Sequence, residues 1–235
     1  MLIRQLFDST SSTYTYLLAD QDQAVLIDPV KHKLDDYLRL LTELDLSLCM
    51  AIDSHTHADH ITALGDLRAA TGCASGFGEP CLAHCASFTF KDGQLLPFGN
   101  RHLLAWHTPG HTDDSYCFLL PPEGEEPWQL FSGDTLLIRG TGRTDFQNGD
   151  PYQQWASLQR LLALPDNTQV FPAHDYKGWT SSTLAEERLH NPRLQVPNAQ
   201  AYAALMENLH LPLPDMMDVA VPANRACGQK EGNGL

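Results

Sequence analysis

The sequence predicts an α/β fold, and three observations predict it. Short apolar strand patterns alternate with amphipathic helical ones, ligand-type polar residues fall where strands stop, and no repeat or linker divides the chain. At 235 residues the chain is long enough to bury a sizeable core, and it reads as one domain over 1–235.

Taken in order, TYTYLLAD and QAVLIDP are consecutive strand patterns, the second closed by the turn-forming pair Asp28–Pro29, so a hairpin is expected. Leu34, Leu38, Leu41 and Leu44 recur at helical intervals, with Asp35, Asp36 and Arg39 between them, which predicts an amphipathic helix from Lys33 to Leu44. LCMAID is a short apolar strand that stops at Ser54–His55, and the helical pattern ITALGDLRAA follows, closed by Gly72. Further strands are expected at His102–Trp106, Tyr116–Leu120 and Gln129–Phe131, then a helix from Tyr152 to Leu164 and a strand at Gln169–Phe171. Between Thr183 and His210 two helical patterns are separated by NPRLQVPN, whose prolines break a continuous helix. PPEGEEP at 121–127 reads as an acidic surface turn.

Composition narrows the function classes. Asp and Glu outnumber Lys and Arg by 29 to 15, giving a formal net charge of -14, which argues against a nucleic-acid partner and is read as a solubility feature. No run approaches the roughly 20 apolar residues of a membrane helix, and MLIRQLFDSTSSTYTYLLAD lacks the layout of a signal peptide. The expectation is therefore an untargeted cytoplasmic protein with no membrane partner. Six cysteines, Cys49, Cys73, Cys81, Cys85, Cys117 and Cys227, are too sparse for a disulfide scaffold and point to a reducing cytosol. Cys81, His84 and Cys85 lack a second ligand pair at zinc-finger spacing, so these cysteines are read as buried or incidental thiols.

The chemistry concentrates in His55-Thr-His57-Ala-Asp59-His60. Side chains at i and i+2 of an extended backbone share a face, so His55 and His57 can converge on one point while Asp59 and His60 face a neighbouring one. Imidazole and carboxylate suit zinc, iron and related divalent ions. Three later segments have the form of partners: Pro109-Gly110-His111-Thr112, Ser132-Gly133-Asp134-Thr135 and Phe171-Pro172-Ala173-His174, each at a strand end. Spacing alone predicts two metals, one on His55, His57 and His111, the other on Asp59, His60 and His174, with Asp134 bridging.

These residues resemble the H-x-H-x-D-H signature and the later His, Asp and His ligands of the metallo-β-lactamase superfamily. The resemblance implies a four-layer αββα sandwich with a metal site at one edge of its two sheets. The strings LIRGTGRTDF, PAHDY, EERLHNPRL, NLHLP and VPAN narrow it further, because the chain is similar to the persulfide dioxygenases over nearly its whole length. Thr141 stands where that family often carries cysteine, a departure that touches no ligand. Membership implies one Fe(II) per chain on His55, His111 and Asp134, a two-histidine, one-carboxylate set that leaves open coordination positions. His57, Asp59, His60 and His174 would then orient those ligands through hydrogen bonds. The implied reaction uses O2 to oxidise the terminal sulfur of glutathione persulfide to sulfite, with Arg143, Tyr176 and Arg193 meeting the substrate. The family also admits a homodimer. Two rivals stand beside this reading: a glyoxalase-II-like hydrolase of glutathione thioesters with a two-metal site, and a non-catalytic metal-binding module, which would close its coordination sphere.

Overall fold

β1 (Leu2–Asp8), β2 (Thr13–Asp20) and β3 (Gln23–Ile27) form an antiparallel meander, the last two making the expected hairpin with Tyr16 opposite Ile27 and Asp20 opposite Gln23. The structure is a computed structural model that describes residues 1–81, 83–212 and 216–229. Beyond β3 the pairing turns parallel. β4 (Ser47–Ile52), β5 (Ala74–Gly78) and β6 (Phe88–Phe90) complete a sheet of spatial order β1-β2-β3-β4-β5-β6.

Parallel neighbours cannot be joined by a tight turn, so helices make the crossovers. α1 (Leu34–Glu43) links β3 to β4 and buries Tyr37 and Leu41. α2 (Leu64–Thr71) links β4 to β5 and ends on Gly72, whose φ of 75° is the left-handed cap that glycine adopts without strain. It begins three residues later than its periodicity suggests, because Thr62 is bridged to Val30 and its N–H is held by Asn224. Leu17, Leu26, Leu64, Leu67 and Phe77 form the core of this sheet and its helices. Each such fully buried side chain is worth roughly 1.5–3 kcal/mol.

The second sheet has the order β12-β11-β10-β9-β8-β7. Its strands are β7 (Leu95–Phe98), β8 (Arg101–His107), β9 (Tyr116–Leu120), β10 (Gln129–Gly133), β11 (Gln169–Pro172) and β12 (Ser182–Thr183). β10 and β11 are parallel, and α3 (Pro151–Leu162) is their crossover. Asp150 caps α3 by accepting from the N–H groups of Tyr152 and Gln153, with Pro151 in the first turn. α4 (Leu184–His190) and α5 (Ala199–Glu207) are the two helices expected on either side of the proline-rich break. Leu119, Leu130, Leu158, Leu161, Val170 and Tyr202 form the core here.

The chain divides into two compact units. Met1–Phe90, Pro97–His102 and the described residues after 212 make up the first; Lys91–Leu96 and Leu103–Pro212 make up the second. The first unit ends with α6 (Met217–Arg225), whose following residue pair carries Cys227, disulfide-bonded to Cys85. That bond corrects the reading of Cys85 as a free thiol: its partner lies 142 residues away, a proximity that spacing along the chain cannot reveal. Cys81 is a buried free thiol, as expected. Among the described residues no helix is long and apolar enough to cross a membrane.

Candidate metal centre

In the first unit the ligand-type residues follow the ends of the parallel pair β3 and β4. Asp28 comes directly after β3 in the left-handed region, with φ 53°, and its N–H donates to Ile52 O at 2.9 Å. Its Oδ1 accepts the Ser54 backbone N–H at 2.6 Å and its Oδ2 accepts from Ser54 Oγ at 3.0 Å. Ser54 Oγ in turn lies 3.0 Å from His55 Nδ1, and His57 Nε2 lies 3.0 Å from Asp28 Oδ1. His60 Nδ1 is 2.8 Å from Asp59 Oδ2, which also accepts from Thr13 Oγ1 at 3.0 Å.

The imidazoles of His55, His57 and His60 are buried and form a row, with ring centroids 4.1 Å and 4.3 Å apart. Burial drives the His57 imidazole down, but the charge and hydrogen bond of Asp28, with Asp59 and Asp53 behind it, outweigh that and raise it to about 9. Potential ligand atoms of His57, Asp59 and His60 lie within 4.8 Å of one another, a grouping able to hold an ion.

In the second unit, Gly110 has φ 137° and packs so closely on α3 that a Cβ would meet Gln154 N at 2.2 Å, so only glycine fits the turn presenting His111. His111 Nδ1 donates to the Arg143 carbonyl at 2.8 Å, while Nε2 stands 3.5 Å from Asp134 Oδ2. The parallel register of β10 and β11 brings Asp134 and His174 together: Ala173 N–H donates to Gly133 O at 3.0 Å, and His174 Nδ1 lies 2.7 Å from Asp134 Oδ1. Gly142 N–H donates to Asp134 O at 2.6 Å, and a Cβ at Gly142 would lie 2.7 Å from the His111 ring. The second glycine of the LIRGTGRTDF string, Gly142, therefore gives His111 its room.

The three residues expected to meet substrate are differently placed. Arg143 grips Asp145 through Nε and Nη2, both at 2.6 Å, and donates to the carbonyls of Leu211 and Pro212. This contact holds the Asp145 carboxyl below its usual range. Arg193 donates to the Thr141 carbonyl and, at 3.1 Å, to Thr141 Oγ1, which also bonds Tyr202 Oη at 2.9 Å. Burial pulls the Arg193 guanidinium down. Tyr176 is 73% exposed, its ring parallel to that of His174 at 6.1 Å.

Residues 87–174 match the model of the metallo-beta-lactamase superfamily. Over 232 residues the chain is 43% identical to the mitochondrial persulfide dioxygenase ETHE1 of Mus musculus, covering 97% of this chain and 89% of that protein. The chain belongs to the persulfide dioxygenase family. The crystal structure of ETHE1 from Myxococcus xanthus superposes with a TM-score of 0.93 at 49% identity, covering 97% of this chain and all (100%) of that one. The hydroxyacylglutathione hydrolase of Francisella tularensis subsp. novicida (strain U112) is more distant, 31% identical over 74% of this chain and 67% of its own length. The metallo-β-lactamase fold that the motifs implied is thus the fold of this chain, and the chain is an enzyme.

Within this persulfide dioxygenase family member, sequence reasoning missed three residues. Asp28 reads as a turn former, yet its carboxylate gathers Ser54 and His57. Ser54 reads only as the polar stop of the LCMAID strand, yet its hydroxyl lies between Asp28 and His55. Asn224 is fully buried and donates to the carbonyls of His57 at 2.8 Å and His60 at 2.9 Å. The string Val-Pro-Ala-Asn was its only signal, with nothing to indicate contact across 167 residues.

Proposed function

We propose that this chain is a persulfide dioxygenase that uses O2 and one Fe(II) per chain to oxidise the terminal sulfur of glutathione persulfide, releasing sulfite and glutathione. The near-full-length 43% identity to a persulfide dioxygenase carries this reading. The donor set of His55, His111 and Asp134 fits the ion, since two imidazoles and a carboxylate suit mononuclear non-haem Fe(II) and leave positions open. Both histidines have Nδ1 engaged, by Ser54 Oγ at 3.0 Å and by Arg143 O at 2.8 Å, so Nε2 is the atom each would present to the metal.

When bound, the ferrous ion supplies the redox chemistry and the open coordination positions. The protein's own groups hold the geometry. His174 steadies Asp134, while His57, Asp59 and His60 brace the segment that carries His55. Glutathione persulfide brings two carboxylates, and one takes the place of exposed Asp145 on Arg143. Arg193 supports the same loop through Thr141, and Tyr176 offers its phenol beside His174. Both atoms of O2 end on the terminal sulfur, and water completes sulfite as the glutathione thiol leaves. The reading includes one domain over 1–235, a cytoplasmic setting, no nucleic-acid or membrane partner, and a homodimer as an admissible assembly.

A two-metal hydrolase of glutathione thioesters is the second reading. The grouping of His57, Asp59 and His60 and the likeness to hydroxyacylglutathione hydrolase favour it. Anaerobic purification with elemental analysis separates the two. One iron per chain supports the dioxygenase; two metals per chain, with thioester hydrolysis, support the hydrolase.

A further inference from the structure

Ser54 has a single hydroxyl proton, and its direction is set. Oγ donates to Asp28 Oδ2 at 3.0 Å, an oxygen of the carboxylate whose Oδ1 already accepts the Ser54 backbone N–H at 2.6 Å. Asp28 is itself fixed: its N–H donates to Ile52 O, and its carbonyl accepts from Thr15 Oγ1 at 2.7 Å. The other neighbour of Ser54 Oγ is His55 Nδ1, at 3.0 Å. With its proton directed to the carboxylate, the hydroxyl oxygen offers only lone pairs to that nitrogen, so Nδ1 must be the N–H donor. A neutral imidazole with its hydrogen on Nδ1 has its metal-binding lone pair on Nε2. Asp28, Ser54 and His55 are 1%, 1% and 3% exposed, so bulk water does not compete for these bonds.

We propose that Ser54 is a positioning residue: it relays the Asp28 carboxylate to His55, holding the ring's hydrogen on Nδ1 and its orientation such that Nε2 is left for the ion. The inference rests on His55 being a metal ligand and names what prepares it. Carboxylates that reach a ligand histidine directly are common; here a hydroxyl stands between the two. Backbone burial alone would not need this chain, because the Ser54 N–H bond to Asp28 survives loss of the hydroxyl.

The test compares the full-length chain with Ser54→Ala and Ser54→Thr, each labelled with 15N in histidine. Nitrogen chemical shifts of the metal-free protein report which ring nitrogen of His55 carries the hydrogen, and Fe(II) competition titration reports affinity. The expected result is an Nδ1–H tautomer in the wild type and in Ser54→Thr, and a mixture in Ser54→Ala with Fe(II) bound about 10–100-fold more weakly. A folded Ser54→Ala chain that keeps the tautomer and the affinity overturns the proposal. So does a wild-type His55 carrying its hydrogen on Nε2, a result available even if the alanine variant fails to fold. Neither readout involves oxygen or persulfide, so a chain that behaves as expected here but consumes no oxygen refutes the dioxygenase reading alone.

Discussion

His174 Nδ1 lies 2.7 Å from Asp134 Oδ1, and the parallel pairing of β10 with β11 sets that contact. The opposite oxygen, Oδ2, is the one that faces His111 Nε2. A carboxylate held on one side by an imidazole and presenting its other side to a second imidazole is arranged as a ligand with a support. His174→Ala is therefore expected to lower Fe(II) affinity about 10–100-fold while the limiting stoichiometry stays unchanged, as read by anaerobic titration. A halved stoichiometry identifies His174 as the ligand of a second ion.

Gly142 and Gly140 belong to one string but face different constraints. A Cβ at Gly142 would lie 2.5 Å from Asp134 O and 2.7 Å from the His111 ring, whereas one at Gly140 meets nothing closer than Leu137 Cβ at 3.8 Å. Gly142→Ala is expected to displace His111 and lose iron on purification, and Gly140→Ala to retain both iron and activity. Metal analysis of the two variants side by side checks the contrast.

The Cys85–Cys227 disulfide anchors the residue pair that follows α6, and Asn224 lies just upstream on the carbonyls of His57 and His60. Opening it restores freedom to a long loop of the unfolded chain. Cys85→Ser is expected to cost about 2–4 kcal/mol and lower Tm by roughly 5–15 °C. Denatured, unreduced protein should titrate four thiols, those of Cys49, Cys73, Cys81 and Cys117; six thiols and an unmoved Tm contradict the bond.

Arg143 already holds Asp145 with two bonds, so a substrate carboxylate has to displace an exposed side chain of this chain. Charge-assisted hydrogen bonds are worth about 1.5–3 kcal/mol, a factor of roughly 10–100 in affinity. Arg143→Ala should raise KM for glutathione persulfide by about that factor, while Asp145→Asn, which removes the competitor, should lower it. Steady-state oxygen uptake measures both.

How much of this was legible follows from where the information lies. The hairpin β2–β3, the leucine face of α1 and the strand-end positions of His55, Asp134 and His174 are written locally, in alternation, helical period and abrupt polar stops. β1 escaped because it is a largely half-exposed strand defined by its pairing with β2. β5 drew no strand expectation, because ASGFG carries two glycines and little apolar alternation; the Phe88 ring covers Gly76, 2.5 Å from where a Cβ would sit. α6 was hidden by Pro222 inside it. At the site, residue types named the ligand candidates and the histidines and aspartate beside them, but not Asp28 and Asn224, which act through contacts distant in sequence.

The most direct measurement of the central claim is oxygen consumption by anaerobically purified, metal-analysed protein on addition of glutathione persulfide. The expected result is one iron per chain, with one O2 consumed per sulfite formed, and loss of uptake in His55→Ala, His111→Ala and Asp134→Ala. Protein that carries two zinc ions, consumes no oxygen and hydrolyses a glutathione thioester contradicts it.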